Sequence, residues 1–392
     1  MEFRRKEDVV FKKIENNLKL NIEEPVFREI DESLFPHEGI MEFHEKQKSI
    51  LWTDNEIDYY SDDITISFPK LEEEHQNIIK SILLFFTVAD KLVISNLESL
   101  SKIPYKAAGY FFAIQNYIES IHDIIYEKAA RLYYNDPIKY CKDTELLNKI
   151  LEQAELHPDE IFDLNNYECK YYEDKTDTEK LIFEAVTLKV NLMNKWKNVN
   201  SFIHNLVAFF IIENISFNAL FSLINTFKEY NLGLKYIIEI NEFVSRDEKI
   251  HADFGLYLYK NFIQNKLDEE EFKFILKEIS EIEIEFLKKI IPSDKKINNR
   301  SVTDYINFIK EYANGITKEL EYSSLYDDIE ETRPEFNITQ MKVKQNFFER
   351  AGTYVTNNRS ITHDNLLDLI DDESESDSDT NSAKESDNEP EI

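Results

Sequence analysis

The chain is poor in the residues that interrupt helices. Only 6 glycines and 9 prolines occur among 392 residues. Both destabilise a helix interior, so their scarcity points to a mostly helical protein. Cysteine is rarer still. Cys141 and Cys169 are the only two, which excludes a disulfide framework or a cysteine-built zinc site. A reducing, cytoplasmic setting is the simpler expectation. Long apolar runs are missing as well. The longest, Leu206 to Ile212, is far too short to cross a bilayer. The N-terminal MEFRRKEDVVFKK lacks the apolar stretch of a signal peptide, so no membrane association is expected. There is no glycine-rich phosphate loop and no Gly-x-Ser-x-Gly elbow.

Positive charge is also in deficit. Lys and Arg number 46 against 77 Asp and Glu, for a net charge of −31. Such a surface repels phosphate backbones, so nucleic acid is not an expected partner. Part of the acidity is local. Residues 371–392, DDESESDSDTNSAKESDNEPEI, hold ten acids and one lysine, the composition of a disordered, solubilising tail.

What remains is a series of apolar helical patterns. Segments at 71–99, 104–135, 179–198, 199–229, 234–264, 268–290 and 301–322 read as helices, with a shorter one at 41–51 leading to Trp52. Asp136-Pro137 should break the second of the long ones. Residues 137–178 are more polar, with short helical pieces such as 143–155, and read as an excursion from the main body. Sustained periodicity ends after Pro334. The expected organisation is an N-terminal extension (1–32), a main helical domain (33–330) with an insertion at 137–178, a C-terminal segment (331–370) and the acidic tail (371–392).

Glu-x-x-His occurs three times, at 72–75, 119–122 and 248–251. Composition alone predicts about one occurrence in a chain this acidic. Glu72 and His75 sit in the polar run Leu-Glu-Glu-Glu-His-Gln and read as a solvated first helical turn. The other pairs lie inside apolar helices, where an unpaired carboxylate is costly to bury. Residues i and i+3 share a helix face, so each pair aims a carboxylate and an imidazole at one point. Asp90 and Glu213 are lone acids in two further apolar helices, among neighbours such as Phe85, Phe86, Phe209 and Phe210. Asp90, Glu119, His122, Glu213, Glu248 and His251 therefore make the ligand set of a di-iron or di-manganese four-helix bundle. Without metal, four buried carboxylates would repel one another. Tyr126 follows His122 by one turn, placing a phenol towards the same point. Asp247, beside Glu248, reads either as the acceptor for a ligand histidine's free N–H or as a surface salt bridge with Arg246.

These motifs, in this order, resemble the small, radical-generating subunit of class I ribonucleotide reductase, in particular its eukaryotic and large-DNA-virus type. The likeness runs from about Leu34 to Tyr354 and is carried by FPHEGIMEFHEKQKSILWTDNEIDYYSDD, FFTVADKLVISNL, QNYIESIHDIIY, VAFFIIENISFNALF and SRDEKIHADF. It implies an all-α, ferritin-like di-metal four-helix bundle with additional helices, forming a homodimer. It implies two iron ions per chain, or manganese, that react with dioxygen and oxidise Tyr126 to a stable radical. Phe217 and Phe221 become the apolar wall of that radical. Trp52, Asp247, His122 and Tyr354, the last in NFFERAGTYV, become the route to a separate large subunit that reduces ribonucleoside diphosphates. HDNLLDLIDD has the character of the family's docking peptide, which makes Leu366, Leu367, Leu369 and Ile370 the docking side chains. The chain departs from the pattern in the longer stretch between His122 and Glu213, in the acidic extension after Ile370, and in NFFERAGTYV, one residue short. Other readings of the ligand set are a different di-metal oxidase or desaturase, a ferritin, or an inactive assembly paralogue. Desaturases usually carry Glu where Asp90 stands, ferritins are much shorter, and an inactive paralogue should have lost ligands.

Overall fold

Helices Glu73–Leu100 (α2) and Lys106–Tyr134 (α3) run side by side as the longest contact in the fold. They are joined by a turn of five residues, which forces them antiparallel. The computed structural model describes residues 38–157, 162–164, 167–229 and 234–329, and among these it is helical, with no strand. A short helix, Glu38–Ser49 (α1), lies across α3 and leads to Trp52. Pro137–Leu156 (α4) and Asp177–Lys197 (α5) follow. The next helical stretch is continuous in direction but not in winding: Phe202–Ile212 (α6), a π turn at Glu213–Phe217, then Asn218–Glu229 (α7). Lys235–Phe262 (α8) packs along all three of those pieces and against α3. Glu269–Ile290 (α9) and Val302–Glu319 (α10) cover the outside, α9 against α5 and α6. The central bundle is thus α2, α3, the α6–α7 stretch and α8.

Local chemistry sets the helix ends. Asn135 takes a left-handed φ of 50° and ends α3. Asp136 then accepts from the backbone N–H groups of Ile138 (3.1 Å) and Lys139 (3.0 Å), with Pro137 at the first helical position. The Asp-Pro pair that stops one helix therefore starts the next. Thr176 with Glu179, and Asp268 with Glu271, form reciprocal caps on α5 and α9. The buried Asp63 accepts from the Tyr236 N–H at 2.7 Å and fixes the start of α8.

Two local expectations are corrected. Residues 137–156 form one continuous helix rather than short pieces. Its polar composition hides a single buried stripe of Tyr140, Asp143, Leu147, Ile150 and Ala154. Asp143 is held there by Lys175 Nζ (2.6 Å) and Tyr171 Oη (2.7 Å). His75 does sit in the first turn of α2, but it is buried, edge-on to Phe227 at 5.7 Å. The helix turns that face inward while Glu72 and Glu73 stay exposed. The stretch Phe202–Lys228 is long and apolar enough to cross a membrane, yet its apolar window is wholly buried inside the bundle. A helix surrounded by other helices is apolar on every side.

Helices α8 and α6 approach closely at Gly255. A Cβ on Gly255 would stand 2.6 Å from Phe210 Cβ. That atom cannot swing away as a side-chain tip could. Gly255→Ala should destabilise the fold by about 1–3 kcal/mol through overpacking, read as a lowered denaturant midpoint. An unchanged midpoint would show that the two helices separate freely.

Candidate metal centre

Each arm of the bundle contributes acids to one buried point. Asp90 lies midway along α2, Glu119 and His122 on α3, Glu213 at the first residue of the π turn, and Glu248 and His251 on α8. All six are buried, none more than 2 % exposed. One donor atom from each of Glu119, Glu213, Glu248 and His251 falls within 4.8 Å of the others, a group able to hold a metal ion.

The imidazoles show how the set divides. His122 Nδ1 faces Glu119 Oε2 at 3.3 Å and Glu248 Oε1 at 3.0 Å. His251 Nδ1 faces Glu119 Oε1 at 2.9 Å and Glu248 Oε2 at 3.6 Å. Glu119 and Glu248 therefore each present one oxygen to each histidine. Carboxylates shared in this way would suit two half-sites, one including His122 and the other His251. Gln115, one turn before Glu119, donates to Glu213 Oε1 at 3.0 Å and leaves Glu213 Oε2 without a hydrogen-bond partner. Asp90 Oδ2 and His251 Nε2 also lack one.

Electrostatics without metal is strained. Burial raises the Asp90 and Glu213 carboxyls well above the usual range, and the neighbouring Glu119 and Glu248 raise them further. Glu119 goes the other way. Burial opposes its ionisation, but the charge of His251 and hydrogen bonds from both imidazoles hold it down to about 2. Both histidines are raised well above their ordinary value, against the cost of burial, by these carboxylates and, for His122, by Asp247. Protons on the imidazoles thus occupy the place where cations are wanted. Two divalent ions would balance the charge of Asp90, Glu119, Glu213 and Glu248, and the oxygen and nitrogen donors suit iron or manganese. The buried cluster fits a di-metal site.

The side of His122 away from the cluster is equally ordered. His122 Nε2 is 3.3 Å from Asp247 Oδ2, and the Trp52 indole N–H donates to that same oxygen at 2.6 Å. The Trp52 and His122 rings lie 6.0 Å apart, nearly parallel. Gln47 on α1 donates to Asp247 Oδ1 at 3.1 Å. Asp247 is fully buried, so a surface salt bridge does not describe it. Arg246 instead approaches Oδ1 only to 3.9 Å and donates to the Ile50 carbonyl, anchoring the turn before Trp52.

Tyr126 is completely buried, and its hydroxyl has no hydrogen-bond partner. Burial and the nearby carboxylates, Asp90 foremost, raise its pKa well above 10. Phe86 stacks on it at 4.3 Å. Phe217 and Phe221 stand against Phe86 at 5.8 and 5.7 Å, so the wall has a first ring that the sequence reading left out. Phe86 lies one turn before Asp90, and Gln115 one turn before Glu119. That i−4 position was the available signal. Tyr354, Leu366, Leu367, Leu369 and Ile370 lie outside the described residues.

A charge-strained cluster should respond sharply to cations. Adding Mn(II) to metal-free protein should give two bound ions per chain and raise the melting temperature by several degrees, and chelation should reverse both. Fewer than two ions, or no thermal shift, would mean that the cluster is only a buried ion-pair network.

The family model described as "Ribonucleotide reductase, small chain" matches residues 32–334. The ribonucleoside-diphosphate reductase small chain of Plasmodium falciparum is 30% identical over 327 residues, covering 81% of each chain. That of African swine fever virus is 27% identical over 336 residues, covering 83% of this chain and 91% of the relative. Among solved structures, the ribonucleotide reductase R2 subunit from Clostridium botulinum superposes with a TM-score of 0.60 at 18% identity, covering 78% of this chain and 88% of that one. The Rnr4 homodimer from Saccharomyces cerevisiae gives 0.59 at 19%, covering 85% and 96%. The fold is therefore the ferritin-like helical bundle of these subunits, and the chain belongs to the ribonucleotide reductase small-chain family.

Proposed function

We propose that this small chain generates and exports a tyrosyl radical. In this reading Asp90, Glu119, His122, Glu213, Glu248 and His251 hold two iron ions, or manganese, and Tyr126 carries the radical. The metal pair supplies oxidising power drawn from dioxygen. With such a centre in place, Tyr126 would be the group to give up one electron and its hydroxyl proton. Among the carboxylates, Asp90 acts most strongly on that phenol, and with a cation holding it ionised it would be the acceptor for the proton. The observation that carries the reading is Tyr126 itself. It is a buried phenol with no hydrogen-bond partner, walled by Phe86 and set beside the carboxylate cluster. Without water or a hydrogen-bond donor in contact, an oxidised phenol has no ready reductant.

Export uses the other side of the centre. Trp52, Asp247 and His122 form an unbroken hydrogen-bonded line, and indole is readily oxidised by one electron. The electron hole passes along this line, and through Tyr354, to a large subunit docked by Leu366, Leu367, Leu369 and Ile370, for reduction of ribonucleoside diphosphates. In this reading the protein works in the cytoplasm.

The chain acts as a homodimer. Tyr110, Tyr117 and Ile124, each 44–52% exposed, recur every seven residues as one stripe on α3. Such a stripe is the form of a helix-pairing seam.

Two experiments test this. After anaerobic loading with ferrous iron and exposure to air, a tyrosyl EPR signal should appear in the parent and be absent in Tyr126→Phe. Two bound irons with no signal in the parent would favour a different di-metal oxidase. Light scattering should give a dimer for the parent and a monomer for the Tyr117→Glu/Ile124→Glu variant. A variant that stays dimeric would place the interface elsewhere.

A further inference from the structure

The bundle buries one more ion pair, away from the acids of the metal centre. Lys189 on α5 and Glu283 on α9 are 1% and 0% exposed, with Nζ 2.7 Å from Oε2. The ammonium lies over the Phe85 ring at 3.9 Å and the Phe286 ring at 4.6 Å. A buried pair of this kind is a poor way to gain stability, because desolvation offsets the attraction and apolar substitutes often do as well. Its position offers another account. Lys189 Nζ donates to the backbone carbonyl of Ser216 at 3.4 Å, and Glu283 holds the same ammonium. Ser216 belongs to the π turn Glu213–Phe217. That turn begins with the Glu213 carboxylate and ends with Phe217, which packs on both Phe85 and Phe86. π turns are costly, tend to occur at functional sites and need support from their surroundings.

We infer that Lys189 and Glu283 are a positioning pair, in which Glu283 fixes Lys189 and Lys189 holds Ser216 by its carbonyl, that supports the π turn and thereby sets the reach of Glu213 into the metal centre. The inference rests on the di-metal reading. It adds that the half-site including Glu213 and His251 depends on a pair of residues that do not touch it.

Mn(II) binding to otherwise metal-free protein, followed by EPR, tests the idea without relying on catalysis. Lys189→Met/Glu283→Leu removes both charges and the grip. Lys189→Gln/Glu283→Gln removes the charges but keeps a donor for the Ser216 carbonyl. The expected result is two ions in the parent and two in the Gln/Gln variant. In the Met/Leu variant, one ion should be retained while the second binds about tenfold or more weakly, with unchanged helical circular dichroism. Parental binding of both ions by a folded Met/Leu variant would overturn the proposal, and so would equal loss in both variants. If the Met/Leu protein does not fold, Lys189→Met/Glu283→Gln replaces it. This variant differs from Gln/Gln only in the donor at 189, and equal second-ion affinity then overturns the proposal. Failure of the di-metal reading is separate, since it would appear as fewer than two ions in the parent itself.

Discussion

Four carboxylates meeting inside an apolar bundle is the constraint that organises this protein. Asp90, Glu119, Glu213 and Glu248 come from separate arms of the bundle, and none has water to screen it. Without metal, the raised Asp90 and Glu213 carboxyls, the imidazoles of His122 and His251 and the amide of Gln115 moderate their repulsion. The rest of the architecture is arranged around that fact. The helices are long because opposing acids must be carried to the same depth. Their outer faces are covered by α1, α5, α9 and α10 because the centre has to stay dry. The unpaired oxygens of Asp90 and Glu213 are tolerable where a cation completes them and costly otherwise.

Much of this was legible in the amino-acid sequence because helix geometry turns spacing into direction. Glu119 with His122 and Glu248 with His251 announce a shared face, and the surrounding Phe and Ile residues announce burial. Asp90 and Glu213 stand out as single acids in runs that otherwise exclude charge. The parts that were not legible share a different property. Gln47 and Gln115 are of a type usually found at the surface, Phe86 is one of many core phenylalanines, and their roles depend on what a distant helix places opposite them. The α4 helix was read as fragments because its average polarity is high, although its buried positions follow a helical spacing. The π turn at Glu213 has no compositional mark at all. It adds a residue to a winding that sequence periodicity treats as uniform.

The two sides of the centre are built on opposite principles. Around Tyr126 the protein withholds hydrogen bonds and supplies flat hydrocarbon, with Phe86 stacked between the phenol and Phe221. Around Trp52 it supplies hydrogen bonds, and both oxygens of Asp247 are engaged. The first arrangement would suit storage, since among the described residues the phenol has no hydrogen-bond partner. The second suits transfer, since a fixed proton network lets charge move without rearrangement of the groups that carry it. His122 belongs to both, with one ring nitrogen facing each.

Gly255 gives the centre its gauge. It lies one turn beyond His251, and the Phe210 it meets lies three residues before Glu213. The closeness of α8 and α6 at that level is therefore fixed by the lack of a methyl group, and the gap left for cations between imidazole and carboxylate follows from it. In the di-metal reading, the bore of such a bundle would bear on which ions it takes, as would the ligand type. Its bore is written at a position that bears no donor atom on its side chain.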